Sequence, residues 1–233
     1  MNLRVLFKRF LNQILFFGVL FPSVSLAEGV NVKPYLEGHI SQVFIDDVDG
    51  TTSVAASGFN LAIDGVFEYE NATALGTEIG LKGIGHPNIR VGISYQQFDA
   101  ELKAIDISAA LSFNGTVLTT AAGRVTKEEL EAAGAEFGDD AKAYSLNAYY
   151  DLNQLGAFYP YLGLGIGFAD IENTEDDELM ISGYFGINYL LTENIYMGFR
   201  GVVRRIDGPT DLAGINYEDV TYKELGAVLG ITF

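Results

Sequence analysis

Hydrophobic and polar residues alternate along much of this chain, and the alternation is clearest at its end, in residues 222–233. Counted back from Phe233, every second residue is apolar as far as Leu225, and the residues between them are small or polar apart from Val228. A repeat of two residues indicates a β-strand, since a helix would repeat every 3.6 residues. One wholly apolar face is typical of a strand that meets lipid outside and encloses a barrel inside.

The same repeat recurs in other segments and predicts ten strands. They are 34–44, 58–69, 73–83, 89–98, 102–113, 143–151, 158–169, 179–190, 195–204 and 222–233. In lipid, an unpaired backbone N–H or C=O costs several kcal/mol, so a sheet that crosses a membrane has to close on itself. We therefore predict an all-β fold, a closed antiparallel up-and-down transmembrane β-barrel of 8–10 strands, with a short helix in one extracellular loop.

Short and long connections divide between the two ends of these strands. The short ones are Asn71-Ala72, 152–157 and 191–194, and the long ones, which hold many of the acidic residues, are 45–57, 114–140, 170–178 and 206–220. Short turns at one rim and long loops at the other are typical of outer-membrane barrels. At the short-turn rim the pattern predicts an outward-facing aromatic girdle of Tyr69, Tyr150, Phe158, Tyr189 and Phe233.

One long connection contains a helix signal. Thr126 and Glu129 have the spacing of a capping box, in which each side chain satisfies the other residue's backbone N–H, and Val125 and Leu130 are placed to form a hydrophobic staple. We predict a short, solvated helix over about residues 127–137 on the surface of the loop.

The first 27 residues follow a different pattern. A basic start, an apolar run over residues 11–21 and the small-x-small triplet Ser25-Leu26-Ala27 predict a secretory signal peptide. The run is too short to span a membrane, for which roughly 20 residues are needed, and no other uninterrupted apolar run of that length follows. We therefore expect residues 1–27 to be cleaved and residues 28–233 to form one outer-membrane domain.

Charge and composition exclude several classes of function. Cleavage would remove three of the 14 basic residues, leaving 11 against 31 acidic residues, a formal charge of −20. Nucleic acid is an implausible partner for such a surface. The chain has no Cys and two His, so thiol chemistry, disulfides and a His-based metal cluster are not available. We expect no cofactor and no metal.

The polar faces of the predicted strands carry charges of both signs. The inward acidic residues are Glu37, Asp64, Glu68, Glu78, Asp106 and Glu224, and the inward basic residues are Lys82, Arg90, Arg200 and Arg204. Opposite charges in a narrow lumen form ion pairs and hydrogen bonds. The pattern therefore predicts a lumen plugged by a side-chain network and not a wide pore.

Three local motifs allow a functional interpretation beside a structural one. Glu37, His39 and Ser41 share a strand face and offer an acid, a base and a nucleophile, but a two-residue step along a strand is about 6.7 Å, so lumen lining is the favoured interpretation. Asp46-Asp47-Val48-Asp49-Gly50 resembles part of a calcium loop but lacks the distal Glu, which favours a solvated acidic loop. The glycines of 163–167 lie within a strand, where they would relieve crowding by inward side chains.

The stretch LNAYYDLNQLGAFYPYLGLGIGF, residues 146–168, resembles the paired strands of the OmpA/OmpX-like outer-membrane β-barrel domain family and its relatives among bacterial surface antigens. The family usually has eight strands. The resemblance therefore leaves two possibilities: an extra hairpin in the barrel, or pairing of residues 89–113 above the membrane within a long loop. The regular alternation of 105–113 favours ten strands. The resemblance also implies that the terminal strand, with Leu229, Ile231 and Phe233, is the signal read by the membrane-insertion machinery.

The sequence favours a non-enzymatic integral outer-membrane barrel with a plugged lumen that presents acidic extracellular loops for surface interaction, adhesion or envelope integrity. A small outer-membrane channel is one alternative, and a lipid-modifying hydrolase using Ser41, His39 and Glu37 is another. The expected partners are outer-membrane lipids, lipopolysaccharide, the insertion machinery during biogenesis and an extracellular partner that the sequence does not identify.

Overall fold

The computed structural model describes residues 32–132, 138–174, 176–212 and 214–233. The elements are β1 (Lys33–Ile45), β2 (Val48–Ala56), β3 (Phe59–Tyr69), β4 (Ala72–Lys82), β5 (Ile89–Phe113), β6 (Thr116–Thr126), α1 (Lys127–Ala132), β7 (Gly138–Asp151), β8 (Phe158–Ile171), β9 (Glu178–Leu190), β10 (Ile195–Ile206), β11 (Asn216–Tyr217) and β12 (Val220–Thr232). The signal peptide expected for residues 1–27 lies outside the described residues. Within the described ranges, no helix has the length and apolarity needed to traverse a bilayer.

Eight strands close into a ring. Each pairs antiparallel with the next in the order β1, β4, β5, β7, β8, β9, β10 and β12, and β12 returns to β1. Only the first part of β5 takes part, with Ile89–Glu101 paired to β7. Because every strand of the ring has two partners, the ring presents no open edge to its surroundings.

A second sheet stands on one rim of this barrel. The distal part of β5 continues beyond the ring and pairs with β3 and β6, and β2 and β11 extend the sheet, in the order β11-β2-β3-β5-β6. The preference for ten barrel strands was therefore wrong, since the predicted segments 58–69 and 102–113 belong to this sheet. Two-residue turns with positive φ, Ser57-Gly58 and Asn114-Gly115, close its hairpins.

The lengths of the connections indicate that the second sheet stands on the extracellular side. The other rim holds the short connections 83–88, 152–157 and 191–194 together with Phe233, as expected of a periplasmic rim. The turn at Asn71-Ala72 joins β3 to β4 at the extracellular rim, so its assignment to the short-turn rim was wrong. Tyr69 is consequently no girdle residue: it packs partly buried against two apolar clusters at the barrel mouth.

Exposed apolar side chains cover the outer wall of the ring and form what we call the outer belt. Its members include Leu36, Ile40, Leu75, Ile79, Leu162, Leu164, Ile166, Phe185, Phe199, Leu225 and Leu229. So large an exposed apolar surface suits a lipid environment. At the periplasmic edge of the belt lie Tyr150, Phe158, Tyr189 and Phe233, all exposed, with the rings of Phe158 and Tyr189 centred 5.2 Å apart.

The helix signal corresponds to α1, which begins at Lys127. Glu129 Oε2 accepts a hydrogen bond from the Thr126 backbone N–H at 3.0 Å, which is one half of the predicted capping box. Leu130 packs against the apolar cluster under the second sheet. The remainder of the predicted helix, 133–137, lies outside the described residues.

The barrel lumen as candidate functional site

The lumen near the periplasmic rim is occupied by ion pairs. Arg90 Nη1 lies 2.8 Å from Glu37 Oε1, and Arg90 Nε lies 2.9 Å from Asp151 Oδ1. Lys82 Nζ lies 2.7 Å from the second oxygen of Asp151. The Arg90 guanidinium also lies over the rings of Tyr149 and Tyr161, with its carbon 4.7 and 4.8 Å from their centroids. Arg90 and Lys82 together thus balance the charges of two carboxylates, and Arg90 also packs against aromatic faces.

A second set of contacts centres on Glu78, which is buried. Its carboxylate accepts hydrogen bonds from the Tyr35 hydroxyl at 2.5 Å, the Tyr149 hydroxyl at 2.6 Å and Asn147 Nδ2 at 2.8 Å. Asn147 Oδ1 in turn accepts from the Tyr184 hydroxyl at 3.0 Å. Three donors from two strands, β1 and β7, satisfy this carboxylate, and the contact of Asn147 with Tyr184 on β9 extends the network across the ring.

The third set lies closer to the extracellular mouth and centres on Glu224. Ser41 Oγ donates to Oε2 at 3.0 Å, Gln96 Nε2 donates to Oε1 at 2.9 Å, and Arg204 Nε lies 3.2 Å from Oε1. Arg200 Nη2 lies 4.0 Å from Oε2. Both arginines are thereby held beside one carboxylate in the middle of the lumen.

Glycines make room for these inward side chains, as the sequence suggested for residues 163–167. A Cβ added to Gly163 would lie 2.3 Å from Cδ1 of Tyr149, and one added to Gly165 would lie 2.3 Å from Oδ1 of Asn147. Both distances are far below van der Waals contact. Side chains from one strand therefore fill the space left above the glycines of its neighbour.

Among the described residues, the charged members of this lumen network are four carboxylates and four cationic side chains: Glu37, Glu78, Asp151 and Glu224 with Lys82, Arg90, Arg200 and Arg204. All but Asp151 were proposed from the sequence. Asp151, Tyr35, Gln96 and Asn147 were missed, although each lies on the inward face of its strand. Above the network lies an apolar layer of buried side chains that includes Val43, Phe98, Met180, Ile206 and Tyr222.

Three acidic residues assigned to the lumen lie elsewhere. Asp64 is exposed on β3, and Glu68 and Asp106 form ion pairs with Arg124 on the extracellular sheet, each at 2.7 Å. The error has one cause: β3 and the distal part of β5 show the alternation of a barrel strand but are not part of the ring.

Glu37, His39 and Ser41 all point into the lumen, yet the structure does not join them. Glu37 accepts from Arg90 and from the Tyr196 hydroxyl, His39 Nε2 lies 3.3 Å from Gln96 Oε1, and Ser41 donates to Glu224. A nucleophile needs its base within hydrogen-bond reach, about 2.6–3.2 Å. Each of the three residues instead contacts a different member of the lumen network.

The ion pairs of the extracellular sheet predict an acid-resistant contact. Hydrogen bonds from Arg124, assisted by Lys103, lower the pKa of Glu68 to about 2. Because the folded-state pKa is lowered, this contribution to stability is complete above the unfolded value of about 4.3 and is lost as the pH falls through about 2. A carboxyl ¹³C titration should give a midpoint near 2 for Glu68 and a midpoint near 4 in Arg124→Gln. An ordinary midpoint in the unsubstituted protein would contradict the contact.

The closed ring, the apolar outer belt and the polar interior together define an outer-membrane β-barrel. The sequence model of a family described as Surface antigen matches residues 18–206, so this chain belongs to the Surface antigen family. The protein is accordingly a component of the bacterial outer membrane. No curated protein sequence matches the chain.

Solved structures share the fold at low sequence identity. OprG, an outer membrane protein from Pseudomonas aeruginosa, aligns with 87% of this chain and 97% of its own at 15% identity and a TM-score of 0.50. The outer membrane protein AlkL aligns with 91% of this chain and 95% of its own, at 15% identity and a TM-score of 0.48. Neisserial surface protein A aligns with 86% of this chain and 97% of its own, at 12% identity and a TM-score of 0.47. At such identities the likeness concerns the fold alone.

Proposed function

We propose that this protein is a non-enzymatic surface protein whose barrel is an anchor and whose extracellular sheet is the working part. The observation that carries the proposal is the five-stranded sheet β11-β2-β3-β5-β6, which stands on a barrel whose lumen contains hydrogen-bonded, paired charges. The sheet is much larger than the connections at the opposite rim, and it presents β2, β3 and β6 to the exterior.

The charge of this face indicates the kind of partner. Acidic residues far outnumber basic ones in 46–71, 102–137, 172–177 and 207–219, where the basic residues are Lys103, Arg124 and Lys127. Such a surface attracts basic partners and repels anionic ones. Divalent cations can bridge its carboxylates to the phosphates of lipopolysaccharide, which makes lipopolysaccharide and outer-membrane lipids the nearest partners.

The two alternatives receive less support. A channel needs a continuous water path, whereas the lumen residues form paired contacts between strands that are not neighbours in the ring. A hydrolase needs Ser41 and His39 in contact, and each has another partner. The eight-stranded ring supports the more specific proposal that the barrel is of the OmpA/OmpX-like kind, and Leu229, Ile231 and Phe233 remain the proposed insertion signal.

Surface presentation can be tested by cysteine labelling, because the chain has no Cys of its own. Thr119→Cys on β6 should react with a membrane-impermeant maleimide on intact cells. Asn153→Cys, in a short turn, should react only after the outer membrane is permeabilised. Labelling of both residues, or of neither, on intact cells would overturn the orientation.

The role of the acidic face is tested by neutralising it. Cells with Asp47→Asn, Asp49→Asn and Glu218→Gln should attach less to a surface coated with a basic protein than cells with the unchanged protein. The matched control, Glu193→Gln, removes a charge from the opposite rim and should leave attachment unchanged. Equal attachment by all variants at equal surface labelling would reject the proposed interaction surface.

A further inference from the structure

A cavity of about 630 Å³ lies between the mouth of the barrel and the extracellular sheet. The outer ends of β1, β5, β7, β8, β10 and β12 form its floor and sides, and β2, β3 and the segment around β11 cover it. Its volume falls within the range of roughly 300–1,000 Å³ that is typical of small-molecule sites.

The cavity wall is predominantly aliphatic and aromatic. Val48, Phe67, Leu102 and Ile105 form a buried cluster on its roof side, and Ile107 and Leu130 pack against that cluster. Among the described residues that line it there is no Lys, Arg or His, and the carboxylates are those of Glu172 and Asp211. The wall therefore offers a large apolar surface and no cationic partner for an anion.

A floor of apolar side chains separates this cavity from the lumen network. Phe98 and Tyr222, with ring centroids 5.4 Å apart, lie there beside Ala100, Ala141 and Ile206. Tyr222 turns its hydroxyl toward the network, where it accepts a hydrogen bond from Arg204 Nη1 at 3.3 Å. The cavity is thus chemically distinct from the polar plug below it.

We propose that this cavity binds a neutral, predominantly apolar small molecule. Water inside it would find few hydrogen-bond partners, and an empty space of this size would forfeit dispersion contacts along the whole wall. A neutral apolar ligand restores those contacts and removes apolar surface from water. A carboxylate ligand would instead lie near Glu172 and Asp211 without a counter-charge.

The absence of Trp from the sequence allows a site-specific reporter. Ile107→Trp places a single Trp in the cavity wall, and Leu164→Trp places one in the outer belt. Both proteins are reconstituted in lipid nanodiscs and titrated with a terminally brominated undecane, a neutral quencher. Quenching of Ile107→Trp should saturate, and quenching of Leu164→Trp should rise in proportion to the quencher dissolved in the lipid. Proportional quenching at both positions would overturn the proposal.

Filling the cavity supplies the control. In the Ile107→Trp background, Ala100→Phe or Ala141→Phe should abolish the saturable phase, whereas Ala110→Phe, on the same strand as Ala100 but outside the cavity wall, should preserve it. Two filling variants on different strands guard against misfolding of one, which is checked by heat-dependent electrophoretic mobility.

The brominated fatty acid of equal chain length should quench less at saturation. Equal or stronger saturation by the fatty acid anion would overturn the assignment of a neutral ligand.

Discussion

Arg90→Met should lower the free energy of unfolding by about 3–5 kcal/mol, the largest loss expected from any single substitution proposed for this protein. Methionine keeps much of the volume of arginine but removes the charge that Glu37 and Asp151 share. Glu37 would then lose its ion-pair partner in the lumen, Asp151 would keep Lys82 alone, and the contacts with the Tyr149 and Tyr161 rings would be lost. Urea-induced unfolding in lipid vesicles measures the change.

Arg124→Met is the matched control for this experiment. Arg124 also pairs with two carboxylates, those of Glu68 and Asp106, but its side chain is 44% exposed, against 4% for Arg90. Exposed pairs contribute about 0–1 kcal/mol, so the loss should be small. Adding Glu37→Gln to Arg90→Met should recover part of the stability. Equal losses for the two arginines would show that the lumen is hydrated and the network is not buried.

Leu164→Arg should cost about 2–4 kcal/mol in the same unfolding assay. Leu164 is the most exposed of the large apolar side chains on β8, at 74%. In water such a substitution would be nearly neutral, whereas at the middle of a bilayer the guanidinium has to reach the interface or draw water inward. The loss therefore measures the lipid environment of the outer belt.

Val117→Arg provides the comparison outside the membrane. Val117 is 59% exposed, but it lies on β6 of the extracellular sheet. An arginine there should change stability by less than about 0.5 kcal/mol. Similar losses of unfolding free energy for Leu164→Arg and Val117→Arg would mean that the outer belt and the surface of β6 face the same solvent. The division into a membrane barrel and an extracellular sheet would then be wrong.

The amino-acid pattern is sufficient to predict the class of fold and much of the lumen. Strict alternation places Glu37, Arg90, Arg200 and Glu224 on the polar faces of their strands. When the apolar faces of a barrel meet lipid, the polar faces line the lumen. The same logic identifies Phe158 and Tyr189 at the short-turn rim. These features depend on local periodicity, which a single sequence contains.

The sequence-based predictions that were wrong concern features that depend on contacts between distant parts of the chain. The apolar face of β3 alternates like that of a barrel strand, but it packs over the barrel mouth instead of meeting lipid, and no local signal separates the two. The pairing of Arg90 with Asp151, 61 positions away, follows from the register of β5 and β7. The cavity is likewise a product of long-range folding, because its roof and floor come from separate sheets.

Single-channel recording in planar lipid bilayers tests most directly whether the lumen is filled, which is the central claim about this barrel. The eight-stranded ring, the paired charges and the apolar layer above them predict that the purified protein inserts without producing stable conductance steps. Arg124→Met, which leaves the lumen intact, should behave identically. Stable, reproducible steps of porin size from the unsubstituted protein would contradict the plugged barrel.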